Sequence, residues 1–221
     1  MNLAYGLFPA TWHWAMLALA VPLLYQALLR APWVRLKDGS QLNLLLGFVV
    51  CLMLAWSLKA GVKPGLSLHM LGAMAATLTL GPRLAIVAMA LALTGITLNG
   101  AIEWQAWPIN FMLMVFVPVL AATLIHRLVE RRLPTHFFVF IFVTSFFGSG
   151  LTVMLQGLVA SSAMVLAGAY SAEFLFSDYL PYFMLLSFAE GWIGGAVITL
   201  MVVYRPEWVA AFDDRRYLSN K

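Results

Sequence analysis

The sequence has one cysteine, Cys51, so no disulfide can form within the chain and cysteine usage says nothing about redox compartment. Charge is scarce, with only 10% of residues Asp, Glu, Lys or Arg. The longest polar stretches are the 30–41 segment, the 127–136 segment and the tail after Tyr204. None is long enough to build a soluble domain. No P-loop and no dinucleotide fingerprint is present, so no known motif lets the chain bind and hydrolyse ATP by itself. Gly-x-Ser-x-Gly, His-Glu-x-x-His and paired intramembrane aspartates are also missing, and no enzyme activity is expected. The first ten residues carry no Lys or Arg, which argues against a cleavable signal peptide.

Apolar surface is what the chain has in excess. Of its 221 residues 63% are hydrophobic, and the mean hydropathy is +0.91. A bilayer is the solvent that accommodates such a composition. Seven apolar runs are legible, over residues 11–29, 42–58, 66–80, 84–99, 108–128, 137–169 and 180–204. A crossing helix needs about 20 apolar residues. The third and fourth runs are short and are joined by Gly81-Pro82, so they either cross around a tight turn or partly re-enter. The sixth is too long for one straight crossing. Gly148-Ser149-Gly150 offers it a bend, and its later part is expected along the outer face.

Charge placement gives the orientation. With the N-terminus outside, the inner loops and tail hold Arg30, Arg35, Lys37, Arg83, Arg127, Arg131, Arg132, Arg205, Arg215, Arg216 and Lys221. Only Lys59 and Lys63 stay outside. That asymmetry follows the positive-inside rule for an odd number of crossings. It also accounts for the net charge of +4 without a nucleic-acid partner. Trp12, Trp14, Trp56, Trp104, Trp107, Trp192 and Trp208 fall mostly near span ends, as interfacial anchors do. The expectation is an all-α integral membrane protein of about seven transmembrane helices, N-terminus outside and C-terminus inside. Residues 1–221 form a single transmembrane domain in a bacterial-type cytoplasmic membrane.

Function then rests on the few polar groups in or beside the spans. His69 and His13 both lie at the outer starts of spans, and two imidazoles at similar depth can share a metal or a haem. The bland alternative is a pair of interfacial histidines that reach water. Asn110 opens the fifth span, where an amide must find a partner. It is suited to a substrate, to an imidazole held in one tautomer, or to the backbone near Pro108. Glu190 is the one acidic residue well inside a span, and such a carboxylate needs a partner, a proton or water. Backbone groups or the hydroxyls of Ser187, Thr144 and Ser145 are its expected donors, with Gly191, Gly194 and Gly195 allowing a close neighbouring helix. Direct response to a bound cation is the competing role. His126 and His136 flank a basic inner loop and belong to a solvated surface.

Three stretches in order carry a family likeness. His69-Met70-Leu71-Gly72-Ala73-Met74-Ala75-Ala76, followed by Leu80-Gly81-Pro82, resembles the H-x-x-G-A-x-x-A and L-G-P segment of the CbiM/NikM-type cobalt/nickel transport proteins. Ile109-Asn110-Phe111-Met112 is similar to that family's Asn-Met segment. Phe188-Ala189-Glu190-Gly191-Trp192-Ile193, with Arg205-Pro206-Glu207 beyond it, resembles its last helix. The likeness covers roughly residues 60 to 210.

The resemblance implies a substrate-capture component of an energy-coupling-factor ABC transporter, working with a transmembrane coupling subunit and cytoplasmic ATPase subunits. It implies cobalt or nickel as cargo. Metal-binding members begin Met-His-Ile, and their terminal amine, second amide nitrogen and second imidazole bind the ion together with the histidine that matches His69. This chain begins Met1-Asn2-Leu3, without that second imidazole. The expected site is therefore His69, His13, Met1 and Asn2, supported by Asn110 and Glu190. Its substrate is a divalent transition-metal ion or a metal-containing cofactor. The alternative is a membrane-embedded structural or redox subunit that holds haem or copper and transports nothing.

Overall fold

A computed structural model describes residues 2–58, 60–63 and 66–218. Met1, Lys59 and Lys221 lie outside the described residues. Seven helices match the seven apolar runs: α1 (Ala10–Arg30), α2 (Gly39–Ser57), α3 (Ala73–Leu80), α4 (Pro82–Leu98), α5 (Trp104–Arg132), α6 (Val139–Leu166) and α7 (Ala172–Tyr204). Five of them, α1, α2, α5, α6 and α7, are long and apolar enough to cross a membrane. Asp38 starts α2 by accepting from the Ser40 amide at 2.9 Å, as an N-cap does. Pro82 starts α4 in its first turn, where a missing N–H costs nothing.

The third run departs most from expectation. Its first residues are not helical. Strand β1 (Ala60–Lys63) pairs antiparallel with β2 (Leu66–Leu68), and α3 begins only at Ala73. Eight residues make a helix about 12 Å long, well short of a bilayer. Inside a membrane such a helix survives only if other parts of the protein satisfy its ends. Here they do. At its C-terminal end the carbonyls of Thr77, Leu78, Thr79 and Leu80 accept from Gly81 N, Ala211 N, Ala210 N and the Arg35 guanidinium respectively. At its N-terminal end the amides of Leu71 and Gly72 donate to the Glu190 carboxylate. All eight α3 residues are buried, and α4, α5, α6 and α7 pack around them. Gly81, at φ +81°, makes the tight turn into α4, a backbone position that favours glycine.

Two further boundaries move. The sixth run is one continuous helix. Its pitch is π over Val139–Phe147 and α from Gly148 onward. Its later part stays in the bundle, with Gly157 against the Phe183 ring of α7. The large apolar surface of α7 is available as a partner, so the bend expected at 148–150 is not needed. The seventh helix starts at Ala172, eight residues before the expected start at Leu180, and its π turn Leu175–Tyr179 precedes Pro181. Another π turn, Phe111–Phe116, likewise precedes a proline, Pro118 in α5. A proline ring crowds the carbonyl four residues back, and a wider turn relieves that crowding.

The loops that charge assigns to one side meet at one end. Arg83 donates to the Arg30 carbonyl at 2.8 Å, Gln41 to the Glu207 carbonyl at 3.2 Å, and Arg216 pairs with Glu130 at 2.6 Å. At the opposite end the N-terminal segment, the hairpin and the 99–106 connection come together. Leu3 bridges Leu66, and the Tyr5 amide donates to Glu103 at 2.8 Å. This outer end holds the residues singled out above.

Candidate functional site

The chain enters the outer end as an extended segment. Its isolated bridge from Leu3 to Leu66 adds it to the edge of the hairpin, and Leu3 is fully buried. Asn110 locks it in place. Its side-chain oxygen accepts from Leu3 N at 2.9 Å, and its Nδ2 donates to Leu3 O and to Ala106 O, both at 2.9 Å. One buried amide thus copies the pairing of a neighbouring strand. The partner Asn110 finds is backbone, but of the N-terminal segment as well as of its own helix.

His69 follows β2 directly and is buried at 3% exposure. Its Nδ1 lies 2.9 Å from the Met70 carbonyl; in the tautomer that donates there, Nδ1 carries the proton and Nε2 the lone pair. Nε2 faces the Asn2 side chain at 3.0 Å. The ring packs on Trp56, with centroids 5.5 Å apart. Trp56 in turn donates to the Leu71 carbonyl at 3.3 Å.

Glu190 completes the support. It is 2% exposed on α7, and its two carboxylate oxygens accept from Leu71 N, at 2.8 Å, and Gly72 N. These are the two residues just before α3, where the partial positive charge of a helix start favours a carboxylate. Backbone amides supply both bonds. The Ser187 and Ser145 hydroxyls donate instead to carbonyls of their own helices, Phe183 and Phe140. Gly72 sits at φ +71°, and a Cβ there would lie 2.6 Å from Leu52 Cδ2. Only glycine fits this turn without strain. The glycines of α7 act as expected: a Cβ on Gly195 would meet the Phe146 ring of α6 at 2.3 Å.

His13 has its own neighbours. Its Nε2 lies 3.1 Å from the Tyr5 carbonyl, and its ring stacks beside Tyr5 at 4.5 Å with Phe8 edge-on. Its Nδ1 is buried with no partner among the described residues. His13 thus holds the segment that follows Asn2, whereas His69 meets Asn2 itself. Among the described residues no group of three or more His, Cys, Asp or Glu side chains forms a metal cluster. At the inner end, His126 lies 3.6 Å from Glu130, and His136 stacks on Phe138.

An outer cavity of about 360 Å³ opens beside this assembly, lined by Asn2, Leu3, Ala4, Gly61, Leu66, Ser67 and residues 100–103. Ser67 and Glu103 were not singled out in the sequence. Ser67 accepts from Asn2 N at 3.3 Å and Glu103 from Tyr5 N, so both fix the N-terminal backbone. Ser67 lies two residues before His69. Glu103, in the connection before the fifth span, carried no motif that separated it from other outer charges.

The sequence of residues 2–208 matches the family described as "Cobalt uptake substrate-specific transmembrane region". The chain belongs to that family. Two solved structures share its fold. One, a truncated transition metal transporter, has a TM-score of 0.79 and 18% identity, and the match covers 92% of this chain and 99% of that one. The other, a transition metal transporter, has a TM-score of 0.75 and 18% identity, covering 91% of this chain and 92% of that one. At 18% identity these likenesses establish the fold alone. No curated protein matches the sequence.

Proposed function

We propose that this family member captures a divalent transition-metal ion of the cobalt or nickel type, or a metal-containing cofactor, at the outer face of a bacterial-type cytoplasmic membrane. Transport is energised by a separate transmembrane coupling subunit and cytoplasmic ATPase subunits, and the chain catalyses no reaction itself. The observation that carries this reading is the buried meeting of His69 Nε2 with the second residue of the chain at 3.0 Å. A neutral imidazole with its lone pair fixed toward a chain terminus is a nitrogen ligand already oriented. Met1 and Asn2 supply the other donors from the terminal segment. His13, whose Nδ1 has no partner among the described residues, supplies a further imidazole at the same end. Asn110 and Glu190 position this set: one fixes the N-terminal segment, the other the loop after His69.

The test is equilibrium dialysis of purified protein against cobalt or nickel, followed by elemental analysis. Wild type and His136→Ala retain the ion, while His69→Ala loses it by orders of magnitude in affinity. Equal metal in all three, or none in wild type, removes the proposal. Copurification of ATPase and coupling subunits from cells that express the whole system checks the energised part.

A further inference from the structure

A groove of about 870 Å³ opens on the side of the bundle between α5, α6 and α7, away from the outer site. Its walls are rich in rings, with Phe142, Phe146 and Phe147 from α6 and Phe188 and Trp192 from α7. Its one hydroxyl, that of Ser187, is spent on the Phe183 carbonyl at 2.6 Å. Such a lining suits hydrocarbon. Along α6 the groove runs from Phe142 to Met154, about 17 Å by helical rise. One leaflet of a bilayer core is about 15 Å deep, and a crossing helix would need about twice that. The groove therefore has the length of an acyl chain from one leaflet. On α5 it ends toward the inner side at Leu128 and Val129. Arg131 and Arg132 follow Leu128 by three and four positions, and Arg132 follows Val129 by three. That spacing places both arginines just beyond the apolar lining, on its side of the helix. Both are exposed, and no carboxylate among the described residues pairs with them. Glu130 lies on another face of α5, bonded to Arg216 and Tyr217.

We propose that this groove is a binding site for one anionic phospholipid at the inner end: an acyl chain lies in the groove and the headgroup phosphate meets Arg131 and Arg132. Two guanidinium groups without a carboxylate are the complement of a lipid phosphate, and the apolar lining is the complement of its chain. A zwitterionic lipid offers the same chain with no net charge, so the arginines select for anionic headgroups. Gly191 lines the groove and Glu190 precedes it. A bound chain thus packs on the turn of α7 whose carboxylate holds the start of α3.

Native mass spectrometry of delipidated full-length protein in neutral detergent tests this, with dioleoylphosphatidylglycerol and dioleoylphosphatidylcholine as probes. Wild type is expected to retain one phosphatidylglycerol in preference to phosphatidylcholine, and inorganic phosphate at the same concentration is expected not to displace it. The double variant Arg131→Gln, Arg132→Gln should lose that preference by about 25-fold, the size of two arginines at an anionic surface. Arg127→Gln removes an equal charge from another face of α5 and should keep the preference. Leu151→Trp fills the groove from an exposed lining position and should lose retention of both lipids; Leu151→Phe serves if it does not fold. Full retention by Leu151→Trp overturns the proposal and reduces the effect to charge at the surface. An equal loss from Arg127→Gln, equal retention of the two lipids by wild type, or displacement by phosphate overturns it as well. Retention of neither lipid by wild type also overturns it and leaves the groove to a protein helix.

Discussion

The outer and inner ends of this molecule use polar groups in opposite ways. At the outer end a few side chains turn inward and bond to backbone: Asn110 to Leu3, Glu190 to Leu71 and Gly72, His69 to Met70. All three side chains are buried. At the inner end the polar groups are charges nearer the surface; Arg35 and Arg83 reach backbone carbonyls, and others pair with each other. Glu130 with Arg216 and Arg205 with Glu207 are the examples, the latter pair about 60% exposed. Buried polar groups are costly to leave unpaired, whereas exposed ion pairs are screened and contribute little. The outer end is therefore built for a fixed geometry, and the inner end for orientation in the membrane.

Substitutions at four positions test that contrast, in falling order of effect. Glu190→Ala leaves two buried amides without acceptors and should destabilise the protein by about 3 to 5 kcal/mol. Thermal unfolding in detergent reads this, and a shift no larger than that of an inner-end variant would contradict it. Glu190→Gln should fall between Ala and wild type, because an amide offers one acceptor oxygen where the carboxylate uses two. Asn110→Ala orphans both backbone groups of Leu3 and should cost about 2 to 3 kcal/mol. Hydrogen exchange at the Leu3 amide should rise with it, and unchanged protection would mean the clamp is dispensable. Arg35→Ala removes the donor to the last carbonyl of α3 and should cost about 1 kcal/mol. Arg216→Ala breaks a half-exposed pair and should cost about 0.5 kcal/mol or less, with even that lost in high salt. An inner-end cost equal to that of Glu190→Ala would dissolve the comparison.

Long elements were legible because an apolar run of crossing length suits a membrane helix and little else. The hairpin was not, because Leu66 to Leu80 reads as one largely apolar run, and the Leu66-Ser67-Leu68-His69 alternation at its start is too short to separate strand from helix. The Pro64-Gly65 dipeptide was the available turn signal. His69, Asn110 and Glu190 stood out because polar groups in lipid demand partners. The identity of those partners was hidden, since Glu190 and Leu71 are separated by 119 positions and the acceptors and donors are largely main chain. Main-chain groups carry no sequence signature. The shared environment expected for His13 and His69 came from their similar depth. Depth alone does not fix direction around a helix, and the fold gives His13 to Tyr5 and His69 to Asn2.

Helix α3 also sets a constraint on biogenesis. Its entrance is closed by Glu190, and two of its last carbonyls by Ala210 and Ala211. A ribosome makes the helix first and these partners more than a hundred residues later. Until α7 and the tail emerge, the short helix has open ends in a lipid environment that cannot solvate them. The outer loop that carries His69 is therefore among the last parts of the protein to mature. A nascent chain that stops before α7 has α1 to α6 and an α3 whose N-terminal amides lack their acceptor.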